Sequence, residues 1–297
     1  MRISILSPVF NEEQHLPEML DSVRSQSHED WELLFVDDGS TDGTVAQIQD
    51  AAQADSRIQL VAHGAKVGKV RAFNLAFEAS SGSVIVLLAG DDRLPPESLA
   101  VRSADLASCP PGSRGLASYK LKTFSDDPGF DGMTLPRRDA TSMSGGSLTF
   151  SRELAQIVFP IPESLPSEDI WLGFAGPAVA GRHVQHPVVV LEYRIHPGNS
   201  NPRNRSFDAM SASIAPRHEA YNLLLQQDRF ELPADVREHL QALYAAELAR
   251  REGGTTRILR TRGLSLPERA SVASMSRPDL WRLRGRFYSV LSGWQGR

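Results

Sequence analysis

Short apolar runs alternate with helix-patterned segments through the first third of the chain, and this alternation restricts the fold more than any other feature. Residues 3–6, 32–36, 58–61 and 84–88 are strand-like runs of four to five residues. Between them, apolar side chains recur at helical spacing. Leu16, Met19, Leu20 and Val23 share one face, then Val45 and Ile48, then Phe73, Ala76 and Phe77. A further helix is expected over 99–106. Such βαβαβαβ order predicts an α/β fold, with a mostly parallel twisted sheet and helices on both faces.

After Cys109-Pro110-Pro111-Gly112 the pattern changes. Strands are expected at 116–124, 147–150 and 188–195, with a short helix at 151–158. Two helical stretches follow, near 207–226 and 234–251. Pro216 is placed to kink or break the first, and Gly253-Gly254 to end the second. A final helix is expected near 278–291. The natural cut falls near Ser206, dividing the chain into 1–205 and a helical, Arg-rich extension, 206–297.

Composition bounds the function. The 297 residues are 41% apolar and 23% charged, with a net charge of -4, which argues against a general nucleic-acid binder. Between 250 and 297, however, eleven arginines face three acids. There Trp281, Leu283, Phe287, Tyr288, Leu291 and Trp294 interleave with Arg282, Arg284 and Arg286. That pattern suits peripheral contact with an anionic membrane, packing on the rest of the chain, or a homo-oligomer contact. Apolar runs are far shorter than the ~20 residues of a membrane span. The N-terminus enters a strand directly, and the lone Cys109 fits a reducing compartment. A cytoplasmic location is expected.

Acidic pairs sit at the ends of apolar runs: Asp37-Asp38, Asp91-Asp92, and Glu168-Asp169 before Ile170-Trp171-Leu172. Carboxylates there are costly unless their charge is used. In open α/β sheets, ligands bind at the C-terminal strand edge. A charged, phosphorylated substrate with a divalent cation would use them. The first turn, Ser7-Pro8-Val9-Phe10-Asn11-Glu12-Glu13, has neither the Gly-rich turn of a dinucleotide site nor the Gly-Lys-Ser/Thr of a P-loop. It suits a nucleobase held by stacking and edge hydrogen bonds.

This turn, with Val36-Asp37-Asp38-Gly39-Ser40-Thr41-Asp42-Gly43-Thr44, resembles the opening of the family 2 glycosyltransferases. The resemblance continues through Val67-Gly68-Lys69-Val70-Arg71-Ala72-Phe73-Asn74, Gly90-Asp91-Asp92, Ser167-Glu168-Asp169-Ile170-Trp171-Leu172 and Tyr193-Arg194-Ile195-His196-Pro197-Gly198-Asn199-Ser200. It covers roughly the first two thirds of the chain. It implies the GT-A fold and inverting, metal-dependent transfer from a nucleoside-diphosphate sugar, with UDP-sugar the leading donor. The acceptor it implies is a growing surface polysaccharide or other glycan, a lipid-linked glycan or a small metabolite.

The resemblance also implies roles. Pro8, Phe10, Glu12 and Asp38 form the nucleoside slot; Phe10 stands where the family often has Tyr. Lys69 and Arg71 supply positive charge near the nucleotide, and Asp91 is also assigned there. Asp92, Asp91 and His196 are the metal candidates, for Mn²⁺ or Mg²⁺. Ala89 stands where the fuller pattern has another Asp. Asp169 is the expected base, with Glu168 orienting it or holding the acceptor. Asp37 and Asp42 read more readily as turn and cap residues. Ser144-Gly145-Gly146-Ser147 lies where a donor-sugar and acceptor loop is expected, though a plain strand-entry turn fits equally. Two rivals remain: a sugar-phosphate nucleotidyltransferase, whose Gly-, Arg- and Lys-containing loop is absent, and a non-catalytic nucleotide-sugar binder.

Overall fold

The computed structural model describes residues 1–196 and 206–286. The chain divides into two compact units, Met1–Ile195 and His196–Arg297.

In the first unit, β1 (Ile3–Val9), β2 (Trp31–Asp37), β3 (Ile58–Ala62) and β4 (Val84–Leu87) are mutually parallel, in the order β3-β2-β1-β4. The connecting helices are α1 (Leu16–Arg24), α2 (Thr44–Ala54) and α3 (Lys69–Ala79), with α4 (Ser98–Ala107) after β4. The order reverses after β3, because the chain returns across β2 and β1 to place β4 on the far side of β1. Right-handed crossovers then put α1 and α2 on one face and α3 on the other. Every residue of β1, β2 and β4 is buried, as expected of strands covered on both faces.

The sheet continues with β5 (Gly115–Phe124), β6 (Thr134–Leu135) and β7 (Leu148–Ser151). β7 runs antiparallel between β4 and β5, and β8 (Arg182–Arg194) pairs parallel with β5. Two helices, α5 (Arg152–Val158) and α6 (Asp169–Val179), lie between β7 and β8. Two strands differ from expectation: β1, expected over 3–6, runs on through Pro8 to Val9, because β2 pairs with it along that length. The last strand begins at Arg182, six residues before its apolar run, because β5 offers a ladder along that whole length. Glu168-Asp169 opens a helix, whose inner face Trp171, Leu172 and Ala175 bury despite Gly173, Gly176 and Pro177.

Register places the site. Val9 lies opposite Asp37, and Leu6 opposite Leu87. The ends of β1, β2 and β4 therefore open at one edge, where the acidic loops begin.

The second unit is helical: α7 (Phe207–Gln226), α8 (Ala234–Arg251), α9 (Thr255–Leu259), α10 (Leu266–Ala273) and α11 (Pro278–Arg286). Ser206 caps α7 by accepting from the Ala209 N–H, and α7 runs unbroken through Pro216. Ala242, Ala246, Ala249, Ile258, Leu264 and Ala273 form an apolar cluster. Beside α7, Glu247 is buried and accepts from Arg250 and Arg251, with His218 Nδ1 at 2.9 Å. Burial opposes its charge, but Arg250 and His218 outweigh that and bring the carboxyl down to about 2. Pro197, Gly198, Asn199 and Ser200 of the last motif, and Phe287, Tyr288, Leu291 and Trp294 of the basic tail, lie outside the described residues.

Candidate active site

The loops after β1 and β2 are tied together by the motif residues themselves. Asn11 adopts a left-handed φ of 56°, a conformation Asn tolerates. Its N–H donates to Ser40 Oγ, and its Oδ1 accepts from the Thr41 N–H, both at 2.8 Å. The Glu12 N–H donates to Thr44 Oγ1, and the Glu13 N–H to Asp42 Oδ2. Asp42 also accepts from the Thr44 N–H and hydroxyl, and Asp37 from the Gly39 and Ser40 amides. Asp37 and Asp42 thus act as turn residues.

Pro8 is buried within β1, opposite Val36. Phe10 is 41% exposed, and the Lys66 ammonium lies 3.7 Å from its ring centroid. Asp38 is buried, and its Oδ1 accepts from both the Val67 and Gly68 amides at 2.6 Å. This carboxylate fixes the start of α3, where Gly68 has a φ of +90° that side-chain-bearing residues rarely adopt. Asp38 therefore orients Lys69 as well as lining the edge.

The turn after β4 carries the second acidic pair. Gly90 leaves room for the β1 loop: a Cβ there would come within 2.8 Å of Val9 Cγ1 and 2.9 Å of Glu12 Cγ. Asp92 is buried and its Oδ1 accepts from the Arg194 N–H at 2.9 Å. The Arg194 guanidinium donates to the Asp91 carbonyl and reaches Glu18. The end of β8 thus clamps the acidic turn, a role for Arg194 that only the fold reveals. Burial, then Asp91, push the Asp92 carboxyl well above the usual range. Tyr193 is pushed up to about 12 by burial and by the same two acids.

Glu168-Asp169 forms the third pair. Lys69 Nζ donates to Glu168 Oε1 at 3.1 Å, across 99 residues. Burial alone would favour neutral Lys69; Glu168 and Asp169, with Asp91, hold it charged. Glu168 is 4% exposed, and its Oε2 has no hydrogen-bond partner. Burial raises its carboxyl above the usual value, Lys69 opposes this, and Asp169 adds to it. Asp169 is half-buried; its Oδ1 accepts from the Gly145 N–H at 3.0 Å. Lys69 thereby joins the field of both acidic pairs.

Arg71 is placed differently. It pairs with Glu163 at 3.0 Å, with both side chains about half exposed. His196 opens the second unit, immediately after Ile195. Among the described residues, no group of three or more His, Cys, Asp or Glu is arranged as a metal cage, and no helix is long and apolar enough to cross a membrane.

Comparison with known proteins gives this edge a class. Residues 4–102 match the family described as Glycosyl transferase family 2. The putative teichuronic acid biosynthesis glycosyltransferase TuaG of Bacillus subtilis is 34% identical over 97 residues, which are 33% of this chain and 38% of TuaG. An undecaprenyl-phosphate 4-deoxy-4-formamido-L-arabinose transferase of Pseudomonas fluorescens is 36% identical over 101 residues, 33% of this chain and 30% of that protein. The chain thus matches between 8% and 38% of the length of such curated relatives. Over nearly its full length it shares the GT-A fold of solved structures. S. aureus TarS 1-349, in complex with UDP-GlcNAc, superposes with a TM-score of 0.64 at 18% identity, covering 97% of this chain and 91% of that one. Mannosyltransferase PcManGT of Pyrobaculum calidifontis, with GDP-Man and Mn²⁺, gives 0.60 at 17% identity, covering 99% and 82%. Residues 4–102 thus carry the resemblance to the family 2 glycosyltransferases, on a fold shared with these solved structures.

Proposed function

We propose that the chain is a metal-dependent, inverting glycosyltransferase that moves a sugar from a nucleoside-diphosphate sugar to an acceptor hydroxyl in surface-polysaccharide or related glycan synthesis. The observation that carries this reading is the convergence of Asp91-Asp92 and Glu168-Asp169 on one charged Lys69 at the sheet edge. The names of the neighbours support it: TarS was solved with UDP-GlcNAc and PcManGT with GDP-Man. A UDP-sugar is our leading donor.

Phe10 and Asp38, with Pro8 and Glu12 alongside, would hold the nucleoside. Lys69 faces the diphosphate, and Arg71 adds charge at the rim. Asp91 and Asp92 fit a hard divalent cation: two crowded carboxylates, one of them buried, are relieved by a positive charge, and Mg²⁺ or Mn²⁺ commonly takes one or two carboxylates plus substrate phosphates. We assign the cation to Asp92, Asp91 and, from the motif, His196. When bound it would supply charge stabilisation for the departing diphosphate.

The chain's own chemistry is a direct displacement. The acceptor oxygen attacks the anomeric carbon, the carbon–oxygen bond to the diphosphate breaks, and the acceptor proton passes to Asp169. The Gly145 N–H holds Asp169 Oδ1, leaving Oδ2 to take the proton. The bare Oε2 of Glu168 accepts a hydroxyl of the bound sugar or acceptor. Catalysis is assigned to residues 1–205, and 206–297 to an extension. Its exposed Leu259 and Leu266, among Arg257, Arg260, Arg262 and Arg269, suit contact with an anionic membrane where lipid-linked acceptors reside, on the cytoplasmic side.

The test is nucleoside-diphosphate release from a panel of UDP-, GDP- and dTDP-sugars with Mn²⁺ and a mixture of lipid-linked and soluble acceptors. One donor should turn over, and Asp169→Asn should lower kcat by about 10²–10⁴-fold while leaving donor binding intact. Pyrophosphate as the product, or full activity in Asp169→Asn, refutes the reading.

A further inference from the structure

A buried guanidinium normally has a carboxylate partner, because an unpaired charge is costly to desolvate. Arg102, on α4, is 0% exposed and makes no salt bridge among the described residues. Its Nε donates to Ser98 Oγ at 3.2 Å. Its Nη1 donates to the Leu148 carbonyl at 3.0 Å and to Thr149 Oγ1 at 2.7 Å. Its Nη2 donates to the Gly146 carbonyl at 2.7 Å. Three of these acceptors lie in one four-residue stretch, where a 3₁₀ turn (Gly145–Ser147) enters β7.

That turn is the one that holds Asp169, through the Gly145 N–H. It is also closely fitted. A Cβ on Gly145 would come within 3.1 Å of Glu168 Oε1, and one on Gly146 within 2.8 Å of Leu191 Cδ2. The backbone is therefore pressed between the acidic pair on one side and β8 on the other. A planar fork of donors suits two carbonyls and a hydroxyl held in fixed directions; a lysine ammonium is a point charge and cannot span them in the same way.

We infer that Arg102 is a positioning residue for proton transfer: from α4 it fixes the Gly146 and Leu148 carbonyls so that the Gly145 N–H holds Asp169 Oδ1 and turns Oδ2 toward the acceptor hydroxyl. This rests on the reading of Asp169 as the base. It assigns a role to a residue that touches neither substrate nor cation, and it explains why a full charge is kept in the core without an acid beside it.

The experiment compares Arg102→Lys, Thr149→Val, Asp169→Asn and the Arg102→Lys/Asp169→Asn double variant. Rates are measured well below each variant's Tm, with the folded fraction checked by circular dichroism. Arg102→Lys should lower kcat by about 10- to 100-fold with the donor KM within about twofold. Thr149→Val, which removes one acceptor and no charge, should lower kcat less, again without moving KM. The double variant should be no slower than Asp169→Asn, because a residue that acts through Asp169 has nothing left to position. Unchanged kcat in folded Arg102→Lys, a donor KM that rises in step, or losses that multiply in the double variant overturn the inference. Should Arg102→Lys not fold, Thr149→Val decides by the same split: unchanged kcat overturns the inference. Full turnover in Asp169→Asn removes the base assignment itself, a result visible without any change at Arg102.

Discussion

Two glutamates sit at opposite ends of the same sheet, equally hidden from solvent and in opposite condition. Glu32, near the start of β2, is 2% exposed; Glu168, just before α6, is 4% exposed. Glu32 accepts from Ser4 Oγ, from the Ser81 N–H and hydroxyl, from the Gly82 N–H and from Arg2. Burial works against its charge, but the bonds from Ser4 and Ser81 outweigh it and hold the carboxyl below the usual range. Glu168 has Lys69 on one oxygen and nothing on the other, and burial carries it above that range. A saturated buried acid ties strands together. An unsaturated one keeps its capacity for a ligand, which is why perturbed groups of this kind gather at functional sites.

The sharpest way to break this comparison is to neutralise each glutamate in turn. Glu168→Gln should lower kcat by about 10- to 100-fold and leave Tm unchanged or slightly raised, since it removes a desolvated charge already short of one partner. A lowered Tm with normal turnover would reverse the assignment. Glu32→Gln should cost about 2–3 kcal/mol in denaturant unfolding and leave the rate per folded molecule intact.

The pH dependence of Tm separates the two acids by sign. Glu32 has a lowered folded value, so its contribution to stability is complete above the unfolded carboxyl value of about 4.3. It is lost as pH falls through the folded value. Glu168 has a raised folded value, so its contribution is complete below about 4.3 and is lost as pH rises through the folded value. Glu32→Gln should therefore flatten the acid limb, and Glu168→Gln the decline above it, in thermal melts from pH 3 to 8. The smallest effect is expected at the rim. Arg71–Glu163 is half exposed, so Arg71→Ala should change stability by less than about 1 kcal/mol while raising the donor KM a few-fold.

Much of the fold is legible in the sequence because apolar periodicity is local. The four parallel strands and their helices fall where the spacing places them. The exceptions are informative. Strand β8 extends through His183, Gln185, His186 and Pro187, which precede its apolar run, because a ladder with β5 is a long-range property. The segment after Asp169 becomes a helix although Gly173, Gly176 and Pro177 are poor helix formers, because Trp171 and Leu172 find a core to fill.

The chemistry divides along a similar line. Acidic pairs at the ends of apolar runs already mark an edge that can bind a charged ligand. The same letters do not say which acid is spent on the backbone. Asp37 and Asp42 close turns, Asp38 fastens the entry to α3, and Glu168 keeps a bare oxygen. Arg102 reads in sequence as one more cation on a short amphipathic helix; buried on carbonyl oxygens, it becomes part of the frame around Asp169.

The order of strands and helices, the family resemblance and the list of candidate acids were determined by sequence, since each depends on residues close together in the chain. The pairing of Lys69 with Glu168, the Arg194 clamp on the Asp91-Asp92 turn and the burial of Arg102 were decided by tertiary structure alone. A charge acquires its meaning from its loss of water and from its partners, and here both are set by residues many tens of positions away.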